Sequence, residues 1–174
     1  MHRLINAIGF QSAWWACVAG VGHGLETPAI VFCAVLASVH LYIVEDPMNE
    51  IKLAALTVSI GIMIDSLLQY FSVVNFYGWS LGPLSPFWLW ALWIMFSMTL
   101  NSSLSFLKDM PLVLSAAAGL LFGPLTYYAG AELGAATFEI SAMHICAVAL
   151  AWMLALPLTV YMATQISPHQ SGHT

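Results

Sequence analysis

Six runs of about 20 mostly apolar residues follow one another along this chain, at about 4–21, 28–44, 53–74, 87–106, 112–131 and 140–163. A helix needs about 20 such residues, with a range of roughly 17 to 25, to cross the hydrocarbon core of a bilayer. The pattern predicts an all-α fold, an integral membrane bundle of six transmembrane helices forming a single domain over residues 1–174.

Composition points the same way. Hydrophobic residues make up 61% of the chain and charged ones 6%, against roughly a quarter charged in ordinary soluble domains. A dissolved monomer cannot sustain so much apolar surface, so membrane lipids are the expected partners. Only three basic residues face eight acidic ones. With no basic patch, neither nucleic acid nor anionic lipid headgroups are expected partners. The first run could pass for a secretory signal, and Trp14-Trp15-Ala16-Cys17 has a distant likeness to a lipoprotein cleavage site. The two tryptophans spoil that match, and equally apolar runs follow, so it reads as a first span that is kept.

The connections are short and rich in breakers or charge: 22–27, 45–50, 108–111 and 132–139. The stretch 75–86 carries no charge but has Tyr77, Trp79, two glycines and two prolines, as an interfacial loop with aromatic anchors would. With six alternating spans, Arg3, Lys52 and Lys108 all fall on one side. The positive-inside rule then places both termini in the cytoplasm. Small residues recur every fourth position in Ser12-Ala16-Gly20, Ser115-Gly119-Gly123 and Ala147-Ala151-Ala155, the spacing of helix seams in lipid. The polar tail from Ser167, with His169 and His173, is expected to be unstructured.

An ionisable side chain at mid-membrane costs about 2.5 to 3.5 kcal/mol on insertion scales and calls for a partner or a purpose. Asp65 lies near the middle of the third span, with Gln69 one turn on along the same face and no lysine or arginine in any span. At 1.5 Å per residue, Gln11 sits at about its depth, His40 and Asn101 roughly 6 to 7 Å toward the cytoplasm, and His144 about 10 Å outward. Two readings follow. Asp65 with Gln11 or Gln69 is hydrogen-bonding glue between helices, or it is the central ligand or proton carrier of a polar path that Tyr127 and Tyr128 extend outward. Pro124 frees a backbone carbonyl one turn earlier in the fifth span, or is a tolerated kink.

Trp79 and Trp88 fit the interface belt, but Trp14, Trp15, Trp93 and Trp152 lie deep, as core packing or as the wall of a ligand site. Cys17, Cys33 and Cys146 are odd in number, lie in apolar runs and indicate no disulfide framework. His144 and Cys146 point apart on a helix, so no metal site and no cofactor is expected. Nucleophile elbow, phosphate loop, zinc-protease and flavin fingerprints are all missing. An acid and base pair of Asp65 with His40 or His144 remains open to folding.

The string Asn6 to Trp14, the Asp65 helix, Pro86-Phe87-Trp88-Leu89 with Leu92-Trp93 and Thr99-Leu100, and Gly123-Pro124-Leu125-Thr126-Tyr127 with Gly130 and Gly134 run in order from the first span to the fifth. Together they resemble a family of small bacterial inner-membrane proteins classed as a domain of unknown function. Members of that family are often encoded near enzymes that modify membrane fatty acids, including cyclopropane-fatty-acid synthase relatives. The resemblance implies a multi-pass protein of the bacterial inner membrane, with a lipid-linked role and a membrane or lipid-modifying protein partner. It carries no catalytic residues, but marks Asn6, Gln11, Trp14, Asp65, Trp88, Trp93 and Tyr127 for mutation. The leading expectation is a non-enzymatic protein holding a small hydrophobic or lipid-like ligand. A small transporter or transporter subunit using Asp65 is the alternative, and an intramembrane enzyme acting on acyl chains the third.

Overall fold

The computed structural model describes residues 2–167, so the expected unstructured tail with His169 and His173 lies outside the described residues. Six α-helices form: α1 (His2–Gly22), α2 (Glu26–Ile43), α3 (Pro47–Tyr70), α4 (Phe87–Leu100), α5 (Leu112–Glu132) and α6 (Ala142–Ile166). Five are long and apolar enough to cross a membrane; α4, with 14 residues, is not. At 1.5 Å per residue it is about 21 Å long.

The fourth predicted span therefore ends six residues early. Asn101, Ser102 and Ser103 offer side chains that compete for backbone hydrogen bonds. The chain there forms turns and then a short 3-10 helix, Ser105–Asp109. Most of α4 is buried, because it lies between α1 and α2 on one side and α3 and α6 on the other. Its uniformly apolar sequence is that of a helix enclosed by protein.

The architecture is all-α, and at the opposite end of the bundle it also holds two three-residue strands. β1 (Val74–Phe76) and β2 (Ala136–Phe138) pair antiparallel, Asn75 opposite Thr137. Both strands lie in stretches read from sequence as the end of a span or as loop. Three helices finish there by the same local device. In α1, α3 and α5 a left-handed residue, Gly24, Ser72 or Gly134, follows the last turn. The next amide then reaches back five residues: Leu25 to Gly20, Val73 to Leu68, Ala135 to Gly130. This Schellman closure satisfies carbonyls that would otherwise lack partners. It also turns α3 and α5 into the paired strands.

Helix starts are specified locally as well. Asp46 caps α3 by accepting from the Asn49 amide at 3.1 Å, with Pro47 following at the first helical position. Ser141 does the same for α6. Of the small-residue rows, Ser115, Gly119 and Gly123 form the buried face of α5 against α6. In α1 the buried residues include Ala13, Cys17 and Gly20, while Ser12 is exposed and Ala16 half-buried, so only Gly20 of the predicted row is fully buried.

Candidate functional site

Asp65 points inward from α3 and is wholly buried. Trp93 of α4 donates its indole Nε1–H to Oδ2 at 2.7 Å, and the Tyr127 hydroxyl of α5 donates to Oδ1. Each carboxylate oxygen keeps a further lone pair. The three residues tie three helices together at one depth, where an unpartnered carboxyl would be severely penalised.

Backbone approach makes room for the aromatic rings beside it. A Cβ on Gly61 of α3 would stand 2.2 Å from the Trp93 ring. Trp93 stacks on Trp152 of α6 with centroids 5.0 Å apart and planes 12° from parallel. On the far side, a Cβ on Gly123 of α5 would lie 2.6 Å from Trp152. Two indoles are thus clamped between two glycines drawn from different helices. Trp152 Nε1 is buried, and its nearest polar neighbour is the Tyr127 hydroxyl, which it faces without a well-formed hydrogen bond.

Next to this stack is a cavity of about 90 Å³. Its walls are aromatic or aliphatic apart from Asp65, Thr126 and the polar tips of Tyr127 and the tryptophans. α1 contributes Phe10, Trp14 and Val18, α4 contributes Trp88 and Phe96, and α5 contributes Tyr127 and Gly130. α1 packs on α2 and α4, α5 on α6 and β2, and residues of both helices line the cavity. They come close at their C-terminal ends, where a Cβ on Gly22 would meet the Leu133 carbonyl at 2.6 Å. Two of its wall residues, half-buried Trp14 of α1 and exposed Thr126 of α5, also reach the surface of the bundle.

Of the residues selected from sequence, the structure gathers Asp65, Trp93, Tyr127 and Trp14 at this one place. Gln11 is exposed on α1 and does not reach Asp65. Gln69 is half-buried, with an unpartnered Oε1. Trp15 and Tyr128 are exposed, so neither extends the site. Trp88, expected in the interface belt, is buried in the wall and donates to the Tyr77 carbonyl at 2.8 Å. Pro124 lies inside an α5 that continues past it.

Neither histidine joins Asp65. His144 sits at the start of α6 beside Glu139, at 3.9 Å from its carboxylate. His40 and Asn101 belong to a separate cluster at the end of the bundle that carries Arg3, Lys52 and Lys108. There Asn101 donates to Glu50 Oε1 at 3.0 Å, and Lys108 donates to Asn101 at 2.7 Å and to the Ser167 carbonyl at 2.9 Å. His40 Nε2 stands 3.6 Å from Glu50 Oε2. Burial pulls the Lys108 ammonium below the ordinary lysine value, against the opposing attraction of Glu50 and Asp109. The acid and base pair built on Asp65 and a histidine is therefore not formed.

Two carboxylates escaped the sequence reading. Glu50 and Glu26 both lie in connections near helix starts, where exposure is the ordinary expectation, yet both are buried. Glu26 accepts the Trp79 amide on both oxygens, at 3.1 and 2.9 Å, and so holds the 75–86 segment over the end of the bundle. Gly78, at φ 115°, leaves space for that carboxylate. The buried thiols of Cys17 and Cys33 touch at 3.4 Å as free cysteines. Among the described residues no group of three or more His, Cys, Asp or Glu side chains is placed to hold a metal ion.

The sequence model of a family described as a protein of unknown function (DUF2878) matches residues 3–158. No curated protein and no solved structure matches the chain.

Proposed function

The chain belongs to the DUF2878 family of proteins of unknown function, and from that premise we propose that it is a membrane protein that holds a small hydrophobic or lipid-like ligand in the cavity beside Asp65. One observation carries this reading: a fully buried carboxyl, already bonded to Trp93 and Tyr127, also borders empty space walled by aromatic rings. Glue between helices explains the bonds but not the space. Ligand pockets are typically apolar and aromatic with a few convergent polar groups, which is the mixture here.

The volume narrows the ligand. Apolar cavities of about 150 Å³ admit benzene, so about 90 Å³ takes a chain end or small group rather than a whole lipid. The rest of the molecule lies between α1 and α5, where lipid reaches the opening. On this reading the end of the bundle with Arg3, Lys52 and Lys108 faces the cytoplasm of a bacterial cell, the membrane is the inner one, and a lipid-modifying protein is the partner served.

Native mass spectrometry of gently solubilised protein tests the proposal. A retained lipid-like molecule, weakened in Asp65→Asn, is expected; bare protein across several detergents would contradict it.

A second reading, transport, is favoured by a further cavity directly beneath the first. Phe10 and Phe96 wall the Asp65 cavity, while their neighbours Gly9 and Met95 wall the other. The Phe10 and Phe96 rings meet at 6.3 Å between the two. Flux of a lipid-soluble substrate in reconstituted vesicles, lost in Asp65→Asn, would favour it over simple binding.

A further inference from the structure

The second cavity lies at the end of the bundle that holds Glu50, between α1, α2 and α4. We propose that it binds a single-chain amphiphile carrying a primary ammonium group. At about 610 Å³ it has the size of a small-molecule site. Its two ends differ in character. Gly9, Leu36, Met95 and Met98 make an apolar end that runs between the helices, and Glu50, His40 and Asn101 make a polar end.

The polar end is chemically incomplete. The Glu50 side chain is 8% exposed, and its Oε1 accepts from Asn101, but its Oε2 has no hydrogen-bond partner. His40 Nε2 stands 3.6 Å away, within ion-pair reach of that oxygen when the imidazole is protonated but beyond hydrogen-bond length, and has no hydrogen-bond partner either. With the imidazole proton on Nδ1, both atoms are acceptors in need of a donor. Buried acceptors left this way are rare in native structures and point to a missing partner.

Charge selects that partner. Glu45, Asp46 and Glu50 line the cavity against a single ammonium, that of Lys108, which attracts Glu50 but gives its hydrogen bonds to Asn101 and the Ser167 carbonyl. A primary ammonium has three N–H donors, enough for Glu50 Oε2 and His40 Nε2 together. A hydroxyl has one donor and serves one of them. A phosphate or carboxylate head brings acceptors and negative charge toward Glu50 and is repelled. The apolar end then receives the chain. This site is separate from the one at Asp65 and does not depend on it.

The test uses the full chain in nanodiscs of phosphatidylcholine, doped in turn with dodecylamine, dodecanol and dodecyl phosphate, with native mass spectrometry as readout. One dodecylamine per chain should be retained, at least about tenfold over the other probes, because charge-assisted hydrogen bonds are the stronger kind. Glu50→Gln should reduce its retention about tenfold. Gly9→Leu supplies a second variant that keeps Glu50 intact. A Cβ there meets no atom within 4 Å, and since Gly9 lines the cavity the longer side chain is directed at its space; an unchanged melting temperature checks that the variant folds. It should abolish retention, while leaving any molecule held beside Asp65 in place. Equal retention of the three probes, or wild-type retention of the amine in either variant, overturns the proposal.

Discussion

Trp93 donates to Asp65 Oδ2 across 2.7 Å while its ring lies over Gly61, one helical turn earlier on the helix that carries Asp65. The missing side chain at 61 is what lets the indole reach the carboxyl. Gly61→Ala would drive a methyl group to 2.2 Å from the ring and force it away. Overpacking of this kind costs typically about 1–3 kcal/mol. A lowered melting temperature should come with a shifted tryptophan emission; an unchanged emission spectrum would mean that Trp93 had not moved.

Tyr127→Phe removes the donor to Asp65 Oδ1, and Trp93→Phe the donor to Oδ2. Each leaves a buried acceptor unmet, at a cost of about 1–3 kcal/mol. Because both act on one carboxyl, the double variant should depart from the sum of the singles by about 0.5 kcal/mol or more. Denaturation of the four proteins in one detergent gives that coupling, and strict additivity would show that the two bonds are independent.

Ser72 adopts φ 54° in the closure of α3, where α1 and α5 use glycine. The left-handed region costs an L-residue roughly 1–2 kcal/mol, partly offset by the greater freedom of an unfolded glycine. Ser72→Gly should therefore raise stability by up to about 1 kcal/mol. A melting temperature that falls instead would imply a role for the hydroxyl.

Lys108 supplies a pH dependence. Its depressed value means that the unfolded chain binds a proton more readily than the folded one. Stability from this group is absent below the folded value and rises with pH until the unfolded value, about 10.4, is passed. Lys108→Met should flatten that rise while shifting the whole curve, since bonds to Asn101 and Ser167 are lost. Parallel melting curves for wild type and variant over the alkaline range would contradict the assignment.

Helix existence was legible because the apolar runs are as long as membrane-crossing helices, and five of the six predicted spans match long apolar helices to within a few residues, apart from the early start of α3. The end of α4 was not, since Phe106 and Leu104 extend the apolar count past a polar triplet that stops the helix. Asp65 stood out because a lone carboxyl at depth has few explanations. Trp93 and Tyr127 could be nominated from sequence, but their convergence depends on Gly61 and on the rotation of α5. Those are properties of helix packing, which no single run encodes. Glu50 and Glu26 were hidden for the opposite reason: a carboxylate near a helix start is ordinarily solvated, and only the folded connections bury these two.

The central claim, that the space beside Asp65 holds a ligand, is tested most directly by filling it. Gly130 lines the cavity, and a Cβ there would meet no atom within 4 Å. Wild type and Gly130→Leu would be purified in the same mild detergent, checked for equal melting behaviour, and extracted for mass spectrometry of what travels with each chain. The account predicts a lipid-like compound in near-stoichiometric amount with wild type and with Gly9→Leu, and its loss from Gly130→Leu. The same compound in the same amount with a folded Gly130→Leu protein, or no compound with wild type, would contradict it.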